Sequence, residues 1–362
     1  MGFWAIGYAL AFGEGNAMFG WRQEDGVPAL FNSENEVLFF FQYTFCATAT
    51  TIAGGAVAER TQFSAYALYS IVISTIIYPV VVHLAWSRSG LLSPWRGANI
   101  LGTNGFMDNA GSGVVHITGG VTALISCWIV GPRVGRFNLE GLVVPFRSHS
   151  LVFTAGGTLF LWLGFFSFNG GSVMFQPAVG LHHWYVTIGH VCMNTCLSAA
   201  GAGVATYLLV QTSDISTPFD LLNSLITGAV ASCAPASLIL PWAAAFVGFC
   251  SGAMYLLFAR LLMWMRIDDV VNASAVHIAG GMAGIVGVGL FATREGITNT
   301  YGIKEPLAIG LCYSGSGRLL LVQVQVSGCD FAGRLQGTLW LMVVKFDYPS
   351  ALSMLYERPQ KE

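Results

Sequence analysis

Two histidines stand in matching surroundings. The run Asp108-Asn-Ala-Gly-Ser-Gly-Val-Val-His116-Ile-Thr-Gly119-Gly120 returns, with drift, as Asp269-Val-Val-Asn-Ala-Ser-Ala-Val-His277-Ile-Ala-Gly280-Gly281. In each copy an Asp stands eight residues before a His, and an Ile and a Gly pair follow it. A neutral imidazole carries one donor and one acceptor, so two of them can hydrogen-bond to each other. On a continuous helix eight residues rise about 12 Å. That spacing predicts an acid near one end of a membrane span and a histidine near its middle. Ionisable groups at that depth are costly and usually face a pathway. The bland alternative is a pair of histidines that satisfy each other in a core, and the duplication argues against it. The glycine pairs let a second helix come close.

The rest of the chain must position these groups inside a membrane. Asp, Glu, Lys and Arg make up 9% of the 362 residues, against about 25% in a soluble domain. Hydrophobic residues reach 54% and the mean hydropathy is +0.64. So few charges cannot cover a soluble surface of this size, and the chain reads as an all-α polytopic membrane protein. The net charge of −2 leaves no basic footprint for nucleic acid. No Asp, Glu, Lys or Arg interrupts the stretches from Arg60 to Arg88, Arg147 to Asp214 or Asp220 to Arg260, and a span needs about 20 apolar residues.

Spans are predicted near 2–13 (short), 38–58, 65–86, 112–131, 150–170, 189–211, 221–240, 242–264 and 272–292, with a doubtful one at 307–326. The second copy of the motif lies five spans after the first, an odd number. The two copies therefore point opposite ways, as in inverted repeats whose interface carries a transporter's substrate path. Arg60, Arg133, Arg136, Arg147, Arg260 and Arg266 fall on one side. Arg22, Arg88, Arg96, Arg294 and Lys304 fall on the other, which leans the Arg133 loop towards the cytoplasm.

Several features point to packing rather than chemistry. Cys46, Cys127, Cys192, Cys196, Cys233 and Cys250 lie in apolar runs at spacings that match neither a disulfide framework nor a zinc site. His182, His183 and His190 lack an acid or cysteine at metal-ligand spacing. The sequon Asn272-Ala-Ser274 falls at a span boundary, where chance accounts for it. No nucleophile–base pair or cofactor motif is present, so neither an enzyme nor a cofactor is expected.

Family resemblance enters with the motifs. Asp108 to Gly120, Ala56-Val-Ala-Glu59-Arg60-Thr, Gly164-Phe-Phe-Ser-Phe168-Asn169-Gly-Gly-Ser172 and Ala275-Val-His277 resemble the Amt/Mep/Rh ammonium transporters, Amt branch above all. The likeness runs from Gly7-Tyr-Ala-Leu-Ala-Phe-Gly13 to about Gln325. It implies an inverted-repeat helical bundle of eleven spans, about nine to ten of them here, with one pore per subunit in a homotrimer. It also implies a multi-pass protein of the plasma membrane that handles ammonium or ammonia within the lipid bilayer. By motif, His116 and His277 match the paired pore histidines, and Asp108 the acid below the outer recruitment site. Phe45 and Gln42, in Phe41-Gln42-Tyr-Thr-Phe45, match the gate below that site. Trp86, in His83-Leu-Ala-Trp86, matches a tryptophan that receives the cation.

The chain also departs from that family's pattern. Its first span and part of the second have no counterpart, so the chain from Met1 is expected to carry little flux unless they are restored. Asn272 replaces a frequent acid five residues before the second His. The stretch around His190 to Thr195 offers no phenylalanine to stack on Phe45, so closure by two rings is not expected. After Gly310-Leu-Cys-Tyr-Ser-Gly-Ser-Gly317, Asp330, Arg334 and Asp347 interrupt the apolar pattern. Two regions follow: a membrane domain over 1–326 and a divergent tail over 327–362. An ammonium sensor, or a transport-defective regulatory subunit of a trimer, is the alternative to a working transporter.

Overall fold

Apolar runs of span length with few breakers leave helix as the structure that satisfies every backbone group in lipid. The computed structural model, which describes residues 1–22, 36–96, 102–146, 149–174, 184–210 and 218–327, is built from such helices. Short α1 (Phe3–Phe12) leads through a two-strand ribbon, β1 (Glu14–Gly15) and β2 (Gly20–Arg22), towards α2 (Glu36–Ala56). There follow α3 (Phe63–Trp86), α4 (Ser112–Val130), α5 (Leu151–Met174), α6 (Trp184–Val210) and α7 (Pro218–Ser232). The series closes with α8 (Pro241–Trp264), α9 (Ala273–Phe291), α10 (Arg294–Tyr301), α11 (Leu311–Ser314) and α12 (Arg318–Ser327). Among the described residues seven helices are long and apolar enough to cross a membrane. The protein is an all-α polytopic membrane protein.

Two expected spans differ from what is seen. The helix placed at 221–240 stops at Ser232, and residues 233–240 run as turns. Tertiary partners take over the backbone there: Asn194 Nδ2 donates to the carbonyls of Ala236 and Ile239, and Ser112 Oγ accepts from Ala234 N–H at 2.8 Å. The doubtful span at 307–326 is broken into α11 and α12, because Gly315 sits at φ 65° and ends the first piece. Nearly all of the 327–362 tail, and His182 and His183, lie outside the described residues.

The inversion is visible in who touches whom. Arg133, three residues past the end of α4, bonds Asp268, five residues before the start of α9; its Nε lies 2.8 Å from Asp268 Oδ2 and its backbone N–H 3.0 Å. Arg133 also reaches Glu59 Oε2 at 2.8 Å, and Arg60 Nε donates to Gly131 O at 2.7 Å. The far end of α4 is thus pinned to the near end of α9, and the two helices run antiparallel. Burial of Asp268 opposes its charge, but side-chain and backbone hydrogen bonds from Arg133 outweigh it and hold the carboxyl below the ordinary range. The same bonds from Asp268 push the Arg133 guanidinium further up.

Candidate pore and recruitment site

His116 and His277 meet where α4 and α9 cross. Their Nδ1 atoms lie 3.1 Å apart, and their ring planes differ by 8°. One Nδ1 must therefore donate and the other accept, which fits a neutral pair. The helices come this close because the second glycine of the pair that follows each histidine has no side chain. A Cβ on Gly120 would lie 3.1 Å from both His277 Cβ and Ile278 N, and one on Gly281 would lie 2.5 Å from Ser112 O and Ile117 Cγ1. Each copy's glycine packs on the other copy's helix. His116 is buried and its Nε2 has no partner among the described residues, whereas His277 is only partly buried.

Asp108 sits differently from the expectation of a continuous helix. Residues 108–111 are not helical, Gly111 has φ 98°, and α4 begins at Ser112 with a wide turn through Ile117. The carboxylate folds back over that helix end. Oδ1 accepts from Gly111 N–H at 2.8 Å and Ser112 N–H at 2.9 Å; Oδ2 accepts from Gly113 N–H at 2.8 Å and Val114 N–H at 2.9 Å. A helix end leaves its first N–H groups unpaired, and one buried side chain satisfies four such groups. Asn could not preserve this cap, since it has a single acceptor oxygen and both Asp108 oxygens are in use.

The second copy repeats the device with fewer bonds. Asn272, three residues after Asp269 as Gly111 is after Asp108, has φ 58°. Asp269 Oδ2 accepts from Ser274 N–H at 2.6 Å, while other backbone N–H groups, of Ala273 and Val271, face the carboxylate at longer range. Asn272 Nδ2 is taken by Tyr255 Oη at 3.2 Å.

A series of ring contacts joins the acid's neighbourhood to the histidines. Trp86 Nε1 donates to the Asp108 carbonyl at 2.7 Å, and its ring meets Phe45 edge-on at 5.7 Å. Phe45 stacks on Phe168 of α5 with centroids 4.0 Å apart. Phe168 lies 5.4 Å from the His116 ring, and Phe165 lies 5.7 Å from it. The expected absence of a second ring is therefore corrected: Phe168, not a residue near His190, supplies it. Its signal was present as Phe165 and Phe168 three residues apart on one helix face, immediately before Asn169. Asn169 in turn is fixed by Thr195 and Ser232, to which its Nδ2 donates at 3.0 and 2.9 Å. Gln42 is buried three residues before Phe45, and its Oε1 has no partner among the described residues. Among the described residues His190 belongs to no group that could hold a metal ion, and its Nε2 lies 2.9 Å from the Ile239 carbonyl.

The packing reading of the cysteines holds for Cys46, Cys127 and Cys233, which are buried, while Cys192 and Cys250 are half-buried and Cys196 is exposed. Exposure on an apolar helix is ordinary where lipid is the neighbour.

Comparison with known proteins places this arrangement. The family model described as Ammonium Transporter Family matches residues 1–345. A Caenorhabditis elegans relative is 39% identical over 290 residues, covering 79% of this chain and 53% of its own length. Ammonium transporter 1 member 4 of Arabidopsis thaliana is 34% identical over 331 residues, covering 89% of this chain and 66% of its own. The chain thus spans about half to two thirds of these relatives. Among solved structures, a Sensor Amt Protein superposes with a TM-score of 0.78 at 29% identity, covering 95% of this chain and 81% of its own. Mep2 of Saccharomyces cerevisiae, at 24% identity and a TM-score of 0.77, has the same fold.

Proposed function

The chain belongs to the Ammonium Transporter Family, and from that membership we propose that it carries ammonium across the plasma membrane through a pore lined by His116 and His277. The observation that carries the reading is the contact between the two histidines, brought together from antiparallel helices beside a stacked phenylalanine pair. Ammonium is small and strongly hydrated, and its N–H donors and acidity distinguish it from potassium. Trp86 and Phe45 offer aromatic faces worth about 0.5–2 kcal/mol to a cation, depending on how far it is desolvated. Asp108 adds negative potential from below, and Gln42 supplies a buried carbonyl oxygen beside Phe45.

A bare cation pays at least about 2.5–3.5 kcal/mol at mid-membrane by forgiving scales. Ammonium therefore gives up its proton to water on the outer side of the Phe45–Phe168 stack, and neutral ammonia passes the imidazoles. The unpartnered Nε2 of His116 accepts an N–H from ammonia when its Nδ1 donates to His277, and donates to the ammonia lone pair in the other tautomer. Either way the pair stays neutral. The proposal includes a membrane domain over 1–326, a divergent tail over 327–362, and assembly as a homotrimer. Methylammonium uptake by cells without ammonium transporters of their own tests it.

A second reading, an ammonium sensor with little flux, draws on the likeness to the Sensor Amt Protein. The same uptake experiment separates the two: a sensor binds at the outer site without accumulating substrate.

A further inference from the structure

Helix α12 presents one buried face, made by Leu319, Val322 and Gln323, while Leu321, Val324 and Gln325 are exposed. A glutamine in the middle of a buried apolar stripe is costly unless both ends of its amide are bonded. Both are, and to one residue. Gln323 Nε2 donates to the Met107 carbonyl at 2.6 Å, and Gln323 Oε1 accepts the Met107 N–H at 2.9 Å. The side-chain amide therefore holds Met107 as a neighbouring strand would.

Met107 immediately precedes Asp108. Fixing its carbonyl fixes the peptide plane on the N-terminal side of Asp108. The plane on the C-terminal side is fixed independently, because Trp86 Nε1 donates to the Asp108 carbonyl at 2.7 Å. With both flanking planes held, the backbone of Asp108 is set from outside its own loop, and its carboxylate is thereby kept where it meets the four N–H groups of the cap. The helix that carries Gln323 is itself seated on the helix of His277; a Cβ on Gly289 of α9 would lie 2.6 Å from Leu320 Cα. We propose that Gln323 is a positioning residue that holds the backbone of Asp108, and with it the charged cap of α4, in place beneath the recruited cation, and so sets the apparent affinity for ammonium. The inference rests on the proposed recruitment role of Asp108.

The test uses the full chain in cells lacking their own ammonium transporters, with methylammonium uptake measured over a range of concentrations and normalised to protein at the membrane. Gln323→Leu should raise the apparent KM about fivefold or more while the maximal rate per molecule stays within about twofold, because binding rather than passage is weakened. Gln325→Leu, the same change on the exposed face of the same helix, should alter neither. Gln323→Glu keeps the size and one acceptor oxygen but faces the Met107 carbonyl with a second acceptor, and should also raise KM. It stands in for Gln323→Leu should the latter fail to reach the membrane. A lower maximal rate with unchanged KM overturns the proposal, as does failure of both variants to reach the membrane; either makes Gln323 a fold residue only. Unchanged KM in the Gln323 variants beside lost uptake in Asp108→Ala overturns the positioning role alone. Wild-type uptake in Asp108→Ala overturns the recruitment reading and this inference with it.

Discussion

Replacing Asp108 by Asn removes more than a charge. The two carboxylate oxygens accept four backbone N–H groups at 2.8–2.9 Å, two at each oxygen. Asn keeps one oxygen and sets an NH₂ group against the other two donors, whichever way its amide turns. Hydrogen bonds to a charged group contribute about 1.5–3 kcal/mol each, so losing two costs about 3–6 kcal/mol before any donor–donor repulsion. The twin site supplies the control. Asp269 makes one short bond, to Ser274 N–H, which an Asn oxygen can keep, so Asp269→Asn should cost about 1.5 kcal/mol or less. Heating the detergent-solubilised proteins and following the monodisperse fraction by size-exclusion chromatography reads the difference directly. Asp108→Asn should lose its folded form at a clearly lower temperature than Asp269→Asn, and should lose most methylammonium uptake. Equal thermal stability of the two variants would refute the four-bond cap as the reason Asp108 is there. Full uptake by Asp108→Asn would show that its charge does not recruit the cation.

Other outcomes follow from the same geometry. Phe168→Ala removes the ring stacked 4.0 Å from Phe45; the protein should still assemble, but methylammonium uptake should become sensitive to competition by potassium. Gly281→Val places side-chain atoms where a Cβ already lies 2.5 Å from the Ser112 carbonyl, so it should drive α4 and α9 apart and lower the yield of folded protein, at a cost of about 1–3 kcal/mol or more. Asp268 has a carboxyl held below its ordinary value of 3.8, so its contribution is present above that pH and lost as pH falls through the lowered value. Thermal stability should therefore drop on acidification below about pH 4, and Arg133→Gln should both lower the neutral-pH stability and flatten that drop.

Much of the helical frame was legible because hydrophobic runs of span length have one structural solution in lipid. The histidine pair was legible for a different reason. A motif repeated an odd number of spans later must return antiparallel, and the observed Arg133–Asp268 and Gly120–His277 contacts follow from that parity. What sequence could not convey was where the backbone leaves the helix. The eight-residue spacing set Asp108 one straight helical rise from His116, but Gly111 turns left-handed and the acid folds back over the helix end. Residues 233–240 kept an apolar composition while their backbone partners came from Ser112 and Asn194, far away in the chain. Phe168 stood in a legible motif before Asn169, but that it would stack on Phe45 and lie beside His116 shows only in the packing. Gln323 carried no signal at all, because its partner is the backbone of Met107 rather than any side chain.

The histidine pair bears the central claim, and one assay addresses it: methylammonium uptake by His116→Ala and His277→Ala, with potassium added as competitor. Each variant removes one imidazole of a pair whose Nδ1 atoms lie 3.1 Å apart, leaves the other short of a bond at a cost of about 1–3 kcal/mol, and widens the lumen. Both should assemble, because the surrounding helices are held by contacts elsewhere, from the Arg133–Asp268 bridge to the Gln323 clasp. Both should lose uptake or become open to potassium, and the double variant should lose less than the sum of the single losses, since the two act as a unit. Wild-type flux and wild-type indifference to potassium in both single variants would contradict the account and leave the two histidines as core residues that merely satisfy each other.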